Sequence, residues 1–197
     1  MDTPETTVEL LRNADLFRMF SLIFDYPTDE VVSAWRGLAE EMLSSGLLSA
    51  YLKNEITSLL EKSSDLDELQ KEYSEIFFTG KVPMCETAAH PEYDVYYNLA
   101  SLYKMFGFEP RSGEAPDHIT RELEFLSILC IKQLSADTDH KKNITQKAYN
   151  AFIKNNLADF TQKFHNKIKQ VKPDGFYHHA SKLLYNVLSN AMTHLKI

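Results

Sequence analysis

The stretch TVELLRNADLFRMFSLIFDYPTDEVVSAWRGLAEEM (residues 7–42) decides the fold class, because it reads as two helices and the turn between them. Its first half is apolar on more than one face, which predicts a central helix. That helix should end before Pro27, since the residue ahead of a proline avoids helical geometry. Thr28 suits the N-cap of a second helix, with Asp29 and Glu30 in its first turn. This pattern predicts an all-helical fold.

The rest of the chain continues in the same way, with apolar stripes at helical spacing that are separated by glycine and proline. No strand-like alternation of useful length occurs. We therefore expect about eight or nine helices in a single domain spanning residues 1–197. The segment 108–116 contains two prolines and a glycine and lacks an apolar period. It is the best candidate for a connector or hinge between two helical lobes.

Composition limits where the protein can act. Apolar residues make up 44% of the chain, and no apolar run approaches the roughly 18 residues that a membrane span needs. The N-terminal residues lack the features of a secretory signal, so we expect a soluble, cytoplasmic protein without stable membrane insertion. The two cysteines, Cys85 and Cys130, provide neither a disulfide framework nor a zinc site.

Charge is distributed unevenly along the chain. The segment 141–172 holds eight lysines and one acid, Asp159, so it carries +7 while the whole chain carries −7. An acidic protein is a poor candidate for unaided nucleic-acid binding, in which phosphate contacts supply most of the affinity. We expect no nucleic-acid partner, and the acidic remainder of the chain should attract a basic one.

The spacings that catalytic and metal sites require are missing. The chain has no Glu-x-x-His or His-Glu-x-x-His pattern, no phosphate-binding glycine loop and no nucleophile elbow. His178 and His179 are adjacent, so on a helix they point about 100° apart and cannot easily share one metal ion. We therefore expect no metal, no cofactor and no enzymatic activity.

The stretch Glu114-Ala-Pro-Asp-His-Ile-Thr-Arg-Glu-Leu-Glu-Phe125 is the first candidate for function. Pro116 imposes an extended approach to the helix, Asp117 suits its N-cap, and His118 and Glu122 should lie one turn apart on one face. Two interpretations remain open: a well-capped helix with a solvated acidic face, or an acidic, partly mobile mouth for a basic peptide. The mouth would collect five acids within sixteen residues, namely Glu109, Glu114, Asp117, Glu122 and Glu124.

A second stretch, Tyr73-Ser-Glu-Ile-Phe-Phe-Thr-Gly80, ends a predicted helix. Tyr73 and Phe77 have helical spacing and are expected in the core. Pro83 and Glu86 follow in a loop and have no evident packing role.

Together these stretches resemble the TorD/DmsD family of redox enzyme maturation proteins, cytoplasmic chaperones of molybdenum enzymes related to dimethyl sulfoxide reductase. The resemblance extends from about Tyr73 to the C-terminus and is weak before it. Family members often have an aromatic residue directly after the Glu-Ser or Glu-Thr of the loop, whereas this chain has Ala88 after Thr87. The matching elements are the helix end at 73–80, the loop with Pro83 and Glu86, the tyrosine-rich helix at 96–107 and the stretch 114–125.

The resemblance implies a chaperone that is not an enzyme and that binds the twin-arginine signal peptide of a molybdoenzyme catalytic-subunit precursor. It would hold that precursor back from export until the molybdopterin cofactor is inserted. By analogy, Asp117 and His118, with Pro116 in the same loop, would recognise the peptide. Glu114 and Glu122 would supply electrostatic attraction, and Tyr73, Phe77 and Glu86 would shape the adjacent groove.

Two alternatives compete with this interpretation. A small enzyme could use Asp117, His118 and Glu122 as acid and base, although no nucleophile accompanies them. A helical regulatory protein could instead use the lysine-rich helix 141–172 to bind nucleic acid or an acidic protein. The sequence leaves open whether the chain acts as a monomer or a swapped dimer.

Overall fold

The structure is a computed structural model that describes residues 4–63, 65–88, 95–110 and 113–193. These residues contain helices and no strand, so the predicted all-α fold is confirmed; their one isolated bridge pairs Cys85 with His118. The α-helices are α1 (Pro4–Ile23), α2 (Asp29–Ser44), α3 (Ala50–Lys62), α4 (Leu66–Tyr73), α5 (Val95–Met105), α6 (Ile119–Leu134), α7 (Asp139–Phe152), α8 (Ala158–Val171) and α9 (Phe176–Thr193).

Short polar side chains begin several of these helices. Thr28 accepts a hydrogen bond from the Val31 amide at 3.2 Å, which confirms its predicted role as an N-cap. Ser49, Asp65 and Thr138 cap α3, α4 and α7 in the same way. Each such cap contributes about 1 kcal/mol by satisfying an amide that the helix leaves free.

Helix α1 is central, as its sequence predicts. It packs along α6 and also contacts α2 and α9, and Phe17, Phe20 and Phe24 are completely buried. The buried side chains before and after segment 108–116 form one continuous core. Arg111 and Ser112 of that segment lie outside the described residues. The single domain and the hinge therefore stay predictions.

Two π-helical turns interrupt the regular geometry. One, Ile153–Leu157, joins α7 to α8. The other, Ser74–Phe78, continues α4. A π-turn carries an extra residue and rotates the side chains that follow it, which is why such turns are common at functional sites. Here Phe77 is buried while Phe78 is 69% exposed.

No helix within the described ranges combines the length and the apolar character that crossing a membrane demands.

Candidate functional site

The two stretches that the sequence singled out lie against each other. The amide of Glu86 donates to the Asp117 carbonyl at 2.9 Å, and the amide of Ile119 donates to the Met84 carbonyl at 2.8 Å. These bonds fasten the loop 84–88 to the start of α6. A contact between segments some thirty residues apart depends on tertiary packing, and the local sequence contains no signal for it.

Asp117 has a different role from the one predicted. The N-cap of α6 is His118, which makes no side-chain cap bond. The Asp117 carboxylate instead accepts hydrogen bonds from the Thr87 amide at 3.0 Å and from the Thr87 hydroxyl at 2.6 Å. The prediction of an Asp117 cap was therefore wrong, because this carboxylate faces the neighbouring loop and not the first turn of its own helix.

Two of the five predicted acids, Asp117 and Glu122, are buried, as is Glu86 of the loop, whereas Glu109 is exposed and Glu114 and Glu124 are half-buried. Glu86, Asp117 and Glu122 are exposed by 1%, 2% and 0%, so neither a solvated face nor an open mouth describes them. The Asn156 amide nitrogen donates to Glu86 at 3.1 Å, whereas both carboxylate oxygens of Glu122 are buried without a hydrogen-bond partner in the described part of the chain. Burial, reinforced by the neighbouring acids, raises the pKa of Glu86 to about 7 and that of Glu122 well above its ordinary value.

Pro116 and His118 complete the joint between the loop and α6. The buried Tyr103 hydroxyl donates to the Pro116 carbonyl at 2.8 Å. His118 is half-buried, and its Nδ1 lies 2.6 Å from the Thr120 hydroxyl. Burial, followed by the charge of Arg121, lowers the pKa of His118, so its imidazole is neutral at pH 7.

Arg121, which sequence reasoning missed, lies at the centre of a second group of acids. Its guanidinium is only 5% exposed, and its Nη1 lies 2.6 Å from Glu124. Its Nε lies 3.3 Å from Glu114 and its Nη2 lies 3.9 Å from Asp25. Arg18 pairs with Glu124 at 3.0 Å. Glu114 is therefore already ion-paired through its Oε2, which is buried and makes no aligned hydrogen bond among the described residues.

An aromatic surface lies beside Asp25. The rings of Tyr26 and Phe78 stack with centroids 5.6 Å apart and planes 6° apart, and both side chains are exposed. Tyr73 meets each ring edge-on at 5.4 Å from underneath. We call Tyr26 and Phe78 the aromatic platform. The second phenylalanine of Ile-Phe-Phe falls off the apolar stripe, which is the one sequence signal that could have identified it.

Tyr73 and Phe77 belong to the core, as their spacing predicted. Their side chains are 5% and 7% exposed, and Phe77 stacks on Phe164 of α8 at 5.9 Å. They support the aromatic platform from within and do not line an open groove. The groove-shaping role of these two residues stays a prediction.

The lysine-rich segment 141–172 forms two helices with an apolar inner side and a basic outer side. Phe152, Phe160 and Phe164 fix the inner sides of α7 and α8, while most lysines of 141–172 are exposed. His178 stacks on His165 at 5.2 Å. In the residues that the structure describes, no group of three or more histidine, cysteine or acidic side chains could hold a metal ion.

Comparison with known proteins identifies the family to which the chain belongs. A family model described as nitrate reductase delta subunit matches residues 29–166, about 70% of the chain. The chain belongs to the nitrate reductase delta subunit family. This family comprises chaperones of the TorD and NarJ type, which confirms the resemblance seen in the sequence. Membership indicates that the chain is a redox enzyme maturation chaperone.

A solved structure agrees in fold with this member of the nitrate reductase delta subunit family. It is described as a putative redox enzyme maturation protein from Archaeoglobus fulgidus, and it is 22% identical, with a TM-score of 0.61. The similarity covers 89% of this chain and 93% of that one. No curated protein matches the chain. The family match includes all eight predicted site residues, whereas Asp25 and Tyr26 precede it.

Proposed function

We propose that this chain binds the twin-arginine signal peptide of a molybdoenzyme catalytic subunit of the dimethyl sulfoxide reductase type. The observation that supports this most is the aromatic platform of Tyr26 and Phe78 beside the carboxylates around Arg121. A twin-arginine leader combines a basic region with an apolar segment. On this surface the carboxylates can bind the basic region and the aromatic platform can bind the apolar segment.

The carboxylates suit the basic region of the leader. The side chains of Asp25 and Glu114 are 38% and 34% exposed, so both can be reached from solvent. Asp25, Glu114 and Glu124 carry three negative charges against the two positive charges of Arg18 and Arg121. A guanidinium that binds here meets a net negative group, and each charged hydrogen bond contributes on the order of 1.5–3 kcal/mol when partly desolvated.

The platform suits the apolar segment that follows. Phe78 presents most of its ring to solvent, and a leader side chain that covers it removes apolar area from water. Arginine also stacks on aromatic faces, so one leader residue can contact the platform and a carboxylate together.

The predicted site residues have distinct parts in this proposal. Glu114 meets the peptide directly. Pro116, Asp117 and His118 hold the loop 84–88 in place, and Tyr73 and Phe77 support the platform. In this scheme Glu86 and Glu122 lie behind the surface, at the joint between the loop and α6.

The biological role follows from the ligand. A chaperone that covers the leader in the cytoplasm delays export until the molybdopterin cofactor has been inserted into the precursor.

We propose that residues 1–197 act as a single domain in this role, with segment 108–116 as a hinge. Size measurement during peptide titration distinguishes a monomer from a swapped dimer.

The test is a titration of the chain with a labelled leader peptide. Phe78→Ala should weaken binding roughly tenfold, which corresponds to about 1.4 kcal/mol, while thermal stability stays near wild type because the ring is exposed. Tyr97→Ala is the matched control, since Tyr97 is also 69% exposed but lies on α5. A leader with both arginines changed to glutamine should bind weakly. Equal affinity of wild type and Phe78→Ala, or of the two leaders, would overturn the proposal.

A further inference from the structure

Two histidines lie face to face where α8 packs on α9. The imidazole rings of His165 and His178 have centroids 5.2 Å apart and planes within 12° of parallel, and the ring of Tyr185 also stacks on His165, at 6.1 Å and 9°. We call these three rings the ring stack. All three side chains are half-buried, so solvent reaches part of each ring.

Each imidazole of the stack has one ring nitrogen bound to the protein. The Nδ1 of His165 lies 3.2 Å from the Ser181 hydroxyl, and that hydroxyl donates to the His178 carbonyl at 3.0 Å. Because a hydroxyl that donates elsewhere can only accept here, the Nδ1 of His165 carries a hydrogen. His178 donates in the same way to the carbonyl of Pro173. In the described part of the chain, the second nitrogen of each ring has no hydrogen-bond partner.

The surroundings of the two imidazoles are positively charged. Lys169 follows His165 by one helical turn, and Lys182 follows His178 by one turn, so each lysine lies on the same side of its helix as the histidine. Both lysines are exposed, and neither forms an ion pair with any residue that the structure describes. Burial first, and then the charges of these neighbours, lower the pKa of both imidazoles.

An oxyanion would neutralise this group of like charges. The third cationic neighbour, His179, faces Glu55 of α3 at 3.0 Å, so that carboxylate is already occupied. Two ammonium groups and two ring nitrogens suit a ligand with three oxygens and two negative charges, which is the chemistry of a phosphate group. A carboxylate would use only some of these donors, and the two lysines would repel a metal ion.

We infer that the ring stack, together with Lys169 and Lys182, binds a phosphate group, as the free ion or as a monoester. The site shares no residue with the proposed leader site, so each can be tested without the other. A bound dianion favours the charged form of both imidazoles. Affinity should therefore rise as the pH falls from about 8, until phosphate itself takes up a proton near its second pKa of about 6.

Nuclear magnetic resonance of the histidine rings tests the site, with inorganic phosphate as the probe. In chloride, His165 and His178 should titrate below the ordinary pKa of 6.5, and phosphate at the same ionic strength should raise the pKa of both. His118 is the internal control, because burial lowers its pKa as well but it lies outside the ring stack and should not respond. Identical titration of the two rings in chloride and in phosphate would overturn the inference.

Charge-matched variants show whether the effect belongs to this site. Lys169→Gln and Lys182→Gln should each weaken phosphate binding roughly tenfold, and thermal stability should stay near wild type because both side chains are exposed. Lys167→Gln removes an equal charge from α8 but should bind phosphate as wild type does, since Lys167 is not among the charges that act on the two imidazoles. Equal losses in all three variants would mean general attraction to a basic helix, and the inference would fail.

Glycerol 3-phosphate distinguishes the two forms of the ligand. If it raises the pKa of both rings as phosphate does, the site accepts a phosphate monoester. If only inorganic phosphate acts, the ligand is the free ion.

Discussion

At the scale of single residues, Arg121 has the strongest influence on the surface site. It is nearly buried and is the cation that lets Asp25, Glu114 and Glu124 lie close together. Its position explains how Glu114 and Glu124, two of the five acids in residues 109–124, can lie beside Asp25 at the helix start. The guanidinium of Arg121 and that of Arg18 together compensate two of the three negative charges of Asp25, Glu114 and Glu124.

Replacing Arg121 by methionine should destabilise the protein by about 3 kcal/mol, since methionine keeps the packing but leaves the three carboxylates without their buried partner. Urea unfolding measures the loss. Arg12→Met is the control, because Arg12 pairs with Glu9 at 3.8 Å near the surface and should cost less than about 1 kcal/mol. Equal losses for the two variants would show that Arg121 is no more than another surface charge.

At the scale of helices, the positions of several ends depend on contacts from other helices. The clearest case is α9, whose first amides are capped by α4: the Glu72 carboxylate accepts hydrogen bonds from the Phe176 amide at 3.1 Å and the Tyr177 amide at 2.9 Å. A carboxylate here also meets the positive end of the α9 dipole. Gly175 leaves room for it, because an added Cβ would lie 2.2 Å from a Glu72 oxygen.

Glu72→Ala should therefore lower the free energy of unfolding by about 1–2 kcal/mol through loss of this cap. Gly175→Ala should also destabilise, because it displaces the same carboxylate. Glu61→Ala, an exposed acid on α3, should change stability by less than about 0.5 kcal/mol. Chemical denaturation of the three variants gives the comparison, and a neutral Glu72→Ala would contradict the capping role.

At the scale of the whole molecule, the two signs of charge lie on different elements. The lysines of 141–172 project from α7 and α8, whereas the surface acids gather where α1 ends and α6 begins. A basic leader is attracted to the acids and repelled by the lysines, which orients its approach.

Leader affinity should accordingly fall with added salt but remain measurable at about 1 M, because screening removes the charge contribution and leaves the apolar contact with Tyr26 and Phe78. Titrations at low and high salt give both parts. A leader whose arginines are replaced by glutamine should show a much smaller dependence on salt. Affinity that does not change with salt in the native leader would contradict a role for the carboxylates.

The sequence by itself determined the helices and the fold class. Helical stripes, caps such as Thr28 and stops such as Gly80 depend on neighbours within a few residues, so they can be read without a structure. The family resemblance was also present in the two quoted stretches.

Tertiary structure alone decided which acids are buried. Glu86 and Glu122 are distant in sequence, and their burial follows from the pairing of loop 84–88 with the start of α6. Asp117 turned from its own helix to Thr87 for the same reason. Local propensity is set over one or two helical turns, whereas these positions depend on contacts between separate elements, which determine solvation and charge.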